Sequence, residues 1–328
     1  MPRWLLPITC ALLTACSEGS SPAPTPTHPG DASFITADIG HFWEAYDAGD
    51  FQHLYLDRAS AGLRDFIRSR NITAANLAQM VQAAPRYFAA IRENTLSLTH
   101  GAPELATIRA NFEKIETLYP AAVYPPVTFL IGRFSTGGTI SSSGMLIGTE
   151  FYAIDDSTPL IELPDFQRSN VQPIFNLPLI IAHEHTHVLQ MQAKRLINKG
   201  TKTLLDWSLL EGSADFVGEL VSGGHINQAI YAWALPREDS LWTEFQVAMN
   251  GTDISGWLYN QGTATPDHPG DLGYFIGYRI TQAYYNNAVD KTAALRDIIE
   301  VADAAAFLTA SGYNGSATSS VRQASRRR

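Results

Sequence analysis

The chain has 328 residues, enough for one large domain or two modest ones, and 45% of them are apolar against 17% charged, which excludes disordered and collagen-like classes for its bulk. Its formal net charge of −9 argues against general nucleic-acid binding, which calls for a basic surface that displaces counterions from phosphates. Arg326, Arg327 and Arg328 close a basic tail, residues 321–328, that is too short to alter this balance.

Residues 1–15 read as an export signal: Arg3 supplies a positive start and Trp4 to Ala15 a short apolar run ending in small residues. That run is too short to span a bilayer. Leu13-Thr14-Ala15-Cys16 resembles the bacterial lipobox, which directs cleavage before the Cys and lipidation of its sulfur, so the resemblance makes Cys16 the lipid-bearing N-terminus of the mature chain. The only cysteines are Cys10 and Cys16, so the exported domain has no disulfide of its own and must be held by its core. Residues 16–30, rich in Ser, Pro, Thr and Gly, form a tether. In lipoproteins similar to this one, a residue such as Ser17 after the Cys goes with sorting to the outer membrane. The expectation is therefore an exported, lipid-anchored protein at the outer membrane, facing the periplasm.

Apolar residues recur at helical spacing from Ile35 to Ile115, as in Ile39, Phe42, Trp43 and Tyr46, then Leu63, Phe66 and Ile67, then Leu77, Met80 and Val81. The pattern predicts a packed helical region over residues 31–123, with these aromatics in its core. Tyr124-Pro125-Pro126 ends the periodicity, and the β-branched and aromatic run Val127 to Phe134 predicts a strand. A Gly- and Ser-rich stretch, Ser135 to Gly144, reads as a flexible loop leading to a second short strand, Met145 to Thr149. No glycine-rich phosphate loop or internal repeat is present, and helices return from about Leu177.

Asn176 is a candidate cap for a helix with Pro178 in its first turn, running through His183-Glu184-His185-Thr186-His187 toward a stop at Gly200. On that helix His183 and His187 share a face, a turn apart, which suits two imidazoles meeting one zinc ion. Glu184, one position round, is placed to take a proton from a water as the general base of a metallohydrolase. Downstream, Glu211 and Asp215 are four apart on a second helix-like segment and share one face. A zinc with two neutral His ligands favours an anionic oxygen as the third, a role that suits Glu211, and Asp215 is then placed as an acceptor for the outer ring N–H of a ligand, His183 for preference. An alternating His triplet on a strand, His183, His185 and His187, is the rival reading, and the long proline-initiated apolar run before it argues against a strand.

With these residues the chain resembles the gluzincin clan of zinc peptidases, in which H-E-x-x-H is followed by a helix carrying a Glu ligand and an Asp four residues on. The form Glu211-Gly212-Ser213-Ala214-Asp215, and Leu272-Gly273-Tyr274-Phe275-Ile276-Gly277-Tyr278-Arg279 later, look more like bacterial proteins labelled as predicted zinc-dependent proteases. The resemblance covers about residues 127–286. It implies an α+β fold, mostly helical and zincin-like, with a small sheet beside the active-site helix. The metallopeptidase region would span residues 124–320 and pack as one unit with the helical region. It implies a zinc-dependent peptidase acting on peptide or protein substrates, and an edge strand within Val127 to Thr149 to which a peptide could add. Tyr274 and Tyr278, a turn apart, are candidates to donate to the charge that develops in the transition state, with His225 and His268 as weaker ones. Gly277 would let their helix approach another closely. A non-catalytic envelope lipoprotein that keeps the fold for binding or assembly is the alternative, opposed by the presence of Glu184, which a structural zinc does not need.

Overall fold

The computed structural model describes residues 25–265 and 267–316; the expected export signal, Cys16 with most of the expected tether, and the basic tail lie outside the described residues. The fold is α+β and mostly helical, with one four-stranded sheet. It divides into two compact units, one of residues 1–116 and 121–184, the other of residues 117–120 and 185–328. No helix among the described residues is long and apolar enough to cross a membrane.

The first unit opens with β1 (Phe34–Ile35), where helical periodicity alone predicts helix, and continues through α1 (Ala37–Ala48), α2 (Ala61–Arg70), α3 (Ala74–Ala83), α4 (Pro85–Ser97) and α5 (Pro103–Leu118). Asp38, fully buried on α1, accepts from the backbone N–H of Ser60 at 3.0 Å and from its hydroxyl at 2.5 Å. Ser60 in turn caps α2 by accepting from Leu63 N, so one carboxylate fixes where the second helix begins. Phe42, Trp43, Phe51 and Phe88 are buried, and Trp43 donates its indole N–H to Thr95. Phe42 and Trp43 are core residues, as their spacing predicts, whereas Tyr46, expected with them, is half-buried.

The sheet of this unit also holds β2 (Val127–Leu130), β3 (Gly138–Ser141) and β4 (Gly144–Gly148), in the order β1-β2-β4-β3. β1, β2 and β4 run parallel, and β3 pairs antiparallel with β4 at the edge. Two expectations are corrected here. The strand predicted to Phe134 stops at Leu130, because the next backbone groups are taken by side chains: Tyr55 Oη donates to Ile131 O at 2.6 Å and accepts from Ile131 N at 3.2 Å. Gly132 N and Phe134 N then donate to the Glu150 carboxylate, each at 3.0 Å. The Gly- and Ser-rich stretch predicted as a loop supplies β3, since pairing with β4 satisfies its backbone whatever its side-chain propensity.

Glu150 is fully buried, and burial pushes its carboxyl up to about 7, against 4.5 ordinarily, although backbone N–H donors at Gly132, Phe134 and Glu150 itself oppose the shift. Below pH 4.5 both folded and unfolded chains hold the proton; between 4.5 and 7 the unfolded chain releases it first, so the fold loses stability as pH rises through that window. At about 1.4 kcal/mol per pH unit the loss is about 3 kcal/mol. Denaturant unfolding at pH 4.5 and pH 8 is expected to show Glu150→Gln gaining about this much relative to the parent chain, and a constant difference would disprove the linkage.

After α6 (Asp165–Asn170) comes α7 (Leu177–Ala193), in which the boundary between the two units falls after Glu184. Its start is preceded by a 3-10 turn, Ile174–Asn176, and Asn176 donates its side-chain amide to Gln172 Oε1. Its stop lies at Lys194, in the left-handed region at φ 55, earlier than the expected Gly200. The second unit holds α8 (Leu204–Ser222), α9 (Gln228–Ala234), α10 (Glu238–Ala248), α11 (Leu272–Asn287), α12 (Lys291–Ile299) and α13 (Ala304–Ser311). Thr203 and Asp206 form a capping box at the start of α8, and Lys199 Nζ reaches Asp206 at 2.6 Å. α8 and α11 meet at glycines: an ideal Cβ on Gly277 would lie 1.7 Å from Ser208 O, and one on Gly212 would lie 2.1 Å from Tyr278 N. The close approach expected of Gly277 is thus present.

Candidate metal centre

His183, Glu184, His185 and His187 all lie on α7, so the strand reading of the His triplet does not hold. The helix is buried on nearly every side, from Leu177 through Ile180, Ile181 and Ala182 to Leu189, which holds the imidazoles in fixed positions. Ligand atoms of His183, His187 and Glu211 lie within 4.8 Å of one another, and His187 Nε2 is 3.2 Å from Glu211 Oε2. A tetrahedral zinc with ligands at roughly 2.0–2.1 Å sets neighbouring ligand atoms roughly 3.3 Å apart, so this donor set fits the ion.

Two residues that the sequence reading did not single out orient these groups. Gln190 Nε2 donates to Leu210 O at 3.1 Å and to Ser213 Oγ at 2.9 Å, leaving its Oε1 as an acceptor for His187 Nδ1 at 2.8 Å. The proton is therefore assigned to Nδ1, and Nε2 presents its lone pair on the side of Glu211. Tyr259 donates its hydroxyl to Glu211 Oε1 at 2.5 Å, which leaves Oε2 as the oxygen facing His187. Tyr259 sits in the left-handed region at φ 56, a conformation that non-glycine residues adopt seldom and that marks functional loops. Nearby, Asp271 accepts from Gln261 Nε2 at 2.8 Å, its own N–H donates to Asn260 Oδ1 at 2.7 Å, and burial raises its carboxyl above the usual range.

Asp215, 1% exposed on α8, accepts from Asn227 Nδ2 at 2.7 Å and from Tyr231 Oη at 2.9 Å. Tyr274 and Tyr278 both lie buried on α11. Tyr278 donates to Glu219 Oε2 at 2.5 Å, while burial raises the phenol of Tyr274 with the Glu211 charge as a second cause. His225 lies in the loop between α8 and α9, its ring 4.2 Å from that of Tyr231, and His268 bridges to Thr265 in a loop before α11.

Around Glu184 the first unit places a glycine strand and a buried cation. An ideal Cβ on Gly138 of β3 would lie 2.6 Å from Glu184 Oε1, so only glycine leaves the carboxylate its room. Arg70, 7% exposed at the end of α2, donates through Nη2 to Thr139 Oγ1 at 3.3 Å. Burial lowers its guanidinium from the usual range, and the Glu184 charge works against that shift.

Residues 152–302 match the sequence model of a family described as "Predicted Zn-dependent protease (DUF2268)". The match takes in α7, α8 and α11, hence all three candidate ligand residues and Tyr259, and covers less than half of the chain. No curated protein and no solved structure matches the chain.

Proposed function

We propose that the chain is a zinc-dependent peptidase in which His183, His187 and Glu211 hold the metal and Glu184 is the general base. The observation that carries this reading is the convergence of two imidazoles from α7 and one carboxylate from α8, with Glu184 at the position after His183. The likeness of residues 152–302 to a zinc-protease family supports it. When bound, zinc supplies Lewis acidity, making water more acidic and polarising a carbonyl oxygen. Glu184 takes the proton of the attacking water and passes it to the departing amine. Gln190 and Tyr259 keep His187 and Glu211 turned toward the ion, and Asp215 serves the outer face of the site, with His183 as its intended partner. β3, the edge strand beside Glu184, offers main-chain groups to an extended peptide.

Cleavage of a mixed peptide library by zinc-loaded protein, abolished in Glu184→Gln, is the expected result. Bound zinc without Glu184-dependent cleavage would instead favour a binding or assembly lipoprotein.

We propose in addition that the mature protein is anchored by lipid on Cys16, at the outer membrane and facing the periplasm, on the strength of Leu13-Thr14-Ala15-Cys16 and Ser17. A single chain with its tether would meet substrates at that surface. Cell fractionation is expected to find the protein with membranes and Cys16→Ser in the soluble fraction; equal partition of the two would refute the anchor.

A further inference from the structure

We propose that Arg70 makes the peptidase selective for substrates carrying a carboxylate, as an acidic side chain or a free C-terminus, within about two residues of the scissile bond. This rests on the proposed metal centre with Glu184 as its base. Arg70, the last residue of α2, is 7% exposed, and among the described residues its Nε has no hydrogen-bond partner. Its Nη2 reaches Thr139 Oγ1 at 3.3 Å, beyond the usual range for such a bond. No carboxylate among the described residues forms an ion pair with Arg70, although Arg58, Arg68, Arg86 and Arg92, all more exposed, each have one. That order is the reverse of what desolvation favours, since a buried charge without a counter-charge costs far more than a solvated one. A guanidinium keeps its proton in proteins, so an anion is what best offsets the cost. Arg133, half-buried, donates Nε to Arg70 O at 3.3 Å and likewise has no ion pair among the described residues, which puts a second positive group at this end of α2.

The edge strand says where the anion arrives. Side chains alternate along a strand, so Gly138 faces Glu184, its ideal Cβ 2.6 Å from Oε1, and Thr139 faces Arg70 on the other side. All these residues belong to the first unit. β3 lies at the edge of the sheet, and a peptide added there alternates in step with it. The bond opposite Gly138 then lies beside the general base, while the next residue, opposite Thr139, turns its side chain to the face that holds Arg70. The Glu184 charge is felt at Arg70, so the two are close enough for one peptide to meet both. Nε and Nη2 form one edge of the guanidinium, the fork that receives a carboxylate through two parallel bonds. A neutral side chain in the same place leaves the cation uncompensated, and that difference is the selectivity.

The probes are three hydroxamate-capped dipeptides, whose caps grip zinc and so set the neighbouring residues beside Glu184. One carries Glu with an amidated C-terminus, one Gln with an amidated C-terminus, and one Gln with a free C-terminus. Binding to zinc-loaded protein is measured directly. On the parent chain at least one carboxylate ligand is expected to bind about 10–100-fold more tightly than the amidated Gln ligand. Which one does so separates an acidic side chain from a chain end. Arg70→Gln should bring that ratio to about one with zinc content unchanged, and Arg70→Lys, which keeps the charge without the fork, should retain only part of it. Equal binding of all three ligands by the parent chain, or a ratio undiminished in either variant, would overturn the proposal. These readings need no turnover, so a chain that shows the ratio yet cleaves no peptide defeats the peptidase reading alone.

Discussion

Gly277→Ala is expected to destabilise the second unit by about 4 kcal/mol, a large part of the 5–15 kcal/mol that holds a typical domain together. The added methyl would sit 1.7 Å from Ser208 O and 2.4 Å from Ser208 C, atoms of the α8 backbone that no rotamer change can move. The two helices must separate, and the buried side chains beside the crossing, Leu209 and Ala214 on α8 and Ile276 and Ile280 on α11, lose contact together. Gly40, on α1, is the control: nothing lies within 4 Å of its ideal Cβ, so Gly40→Ala should gain about 0.5–1 kcal/mol from helix propensity alone. Urea unfolding of the three proteins measures both. A Gly277→Ala protein within about 1 kcal/mol of the parent chain would mean that the helices can part without loss. The crossing matters to the metal centre because Gly212, the other glycine in it, follows Glu211 directly.

The parts of the site that could be read from the sequence are those whose residue types chemistry dictates. His183, His187 and Glu211 follow from ligand identity and helical spacing, and the structure gathers them within 4.8 Å. Gly277 was legible for a similar reason, since an apolar helix with a glycine among aromatics implies close approach. β3 was hidden because Gly138 and Ser141 carry little strand preference and Thr139-Ile140 between them is too short a run to announce a strand; its conformation is imposed by pairing with β4. Tyr259 reaches Glu211 from an irregular segment 48 positions along the chain, where no periodicity announces it. Gln190 could have been found: an amide three residues after His187 on one helix lies where the outer nitrogen of that imidazole needs an acceptor.

The division of labour in the metal centre predicts that zinc affinity and turnover respond to different residues. If Glu184 has the proposed role of general base, Glu184→Gln should bind zinc as the parent chain does and lose about 10²–10⁴-fold in kcat, because a carboxylate accepts a proton and an amide of the same shape cannot. Glu211→Gln should lose zinc outright, since it removes the one anionic ligand and leaves two neutral imidazoles. Tyr259→Phe sits between them. Its hydroxyl donates to Glu211 Oε1 at 2.5 Å, so its loss frees that carboxylate to turn and should weaken zinc about 10–100-fold while sparing the chemistry of protein that is kept saturated with the ion. Competition against a chelator of known affinity gives the three zinc constants, and turnover at saturating zinc gives the rates. Equal zinc loss in Glu184→Gln and Glu211→Gln would reassign Glu184 from base to ligand. A Tyr259→Phe protein with full zinc affinity would show that burial of Glu211 between α7 and its own helix orients the carboxylate without help.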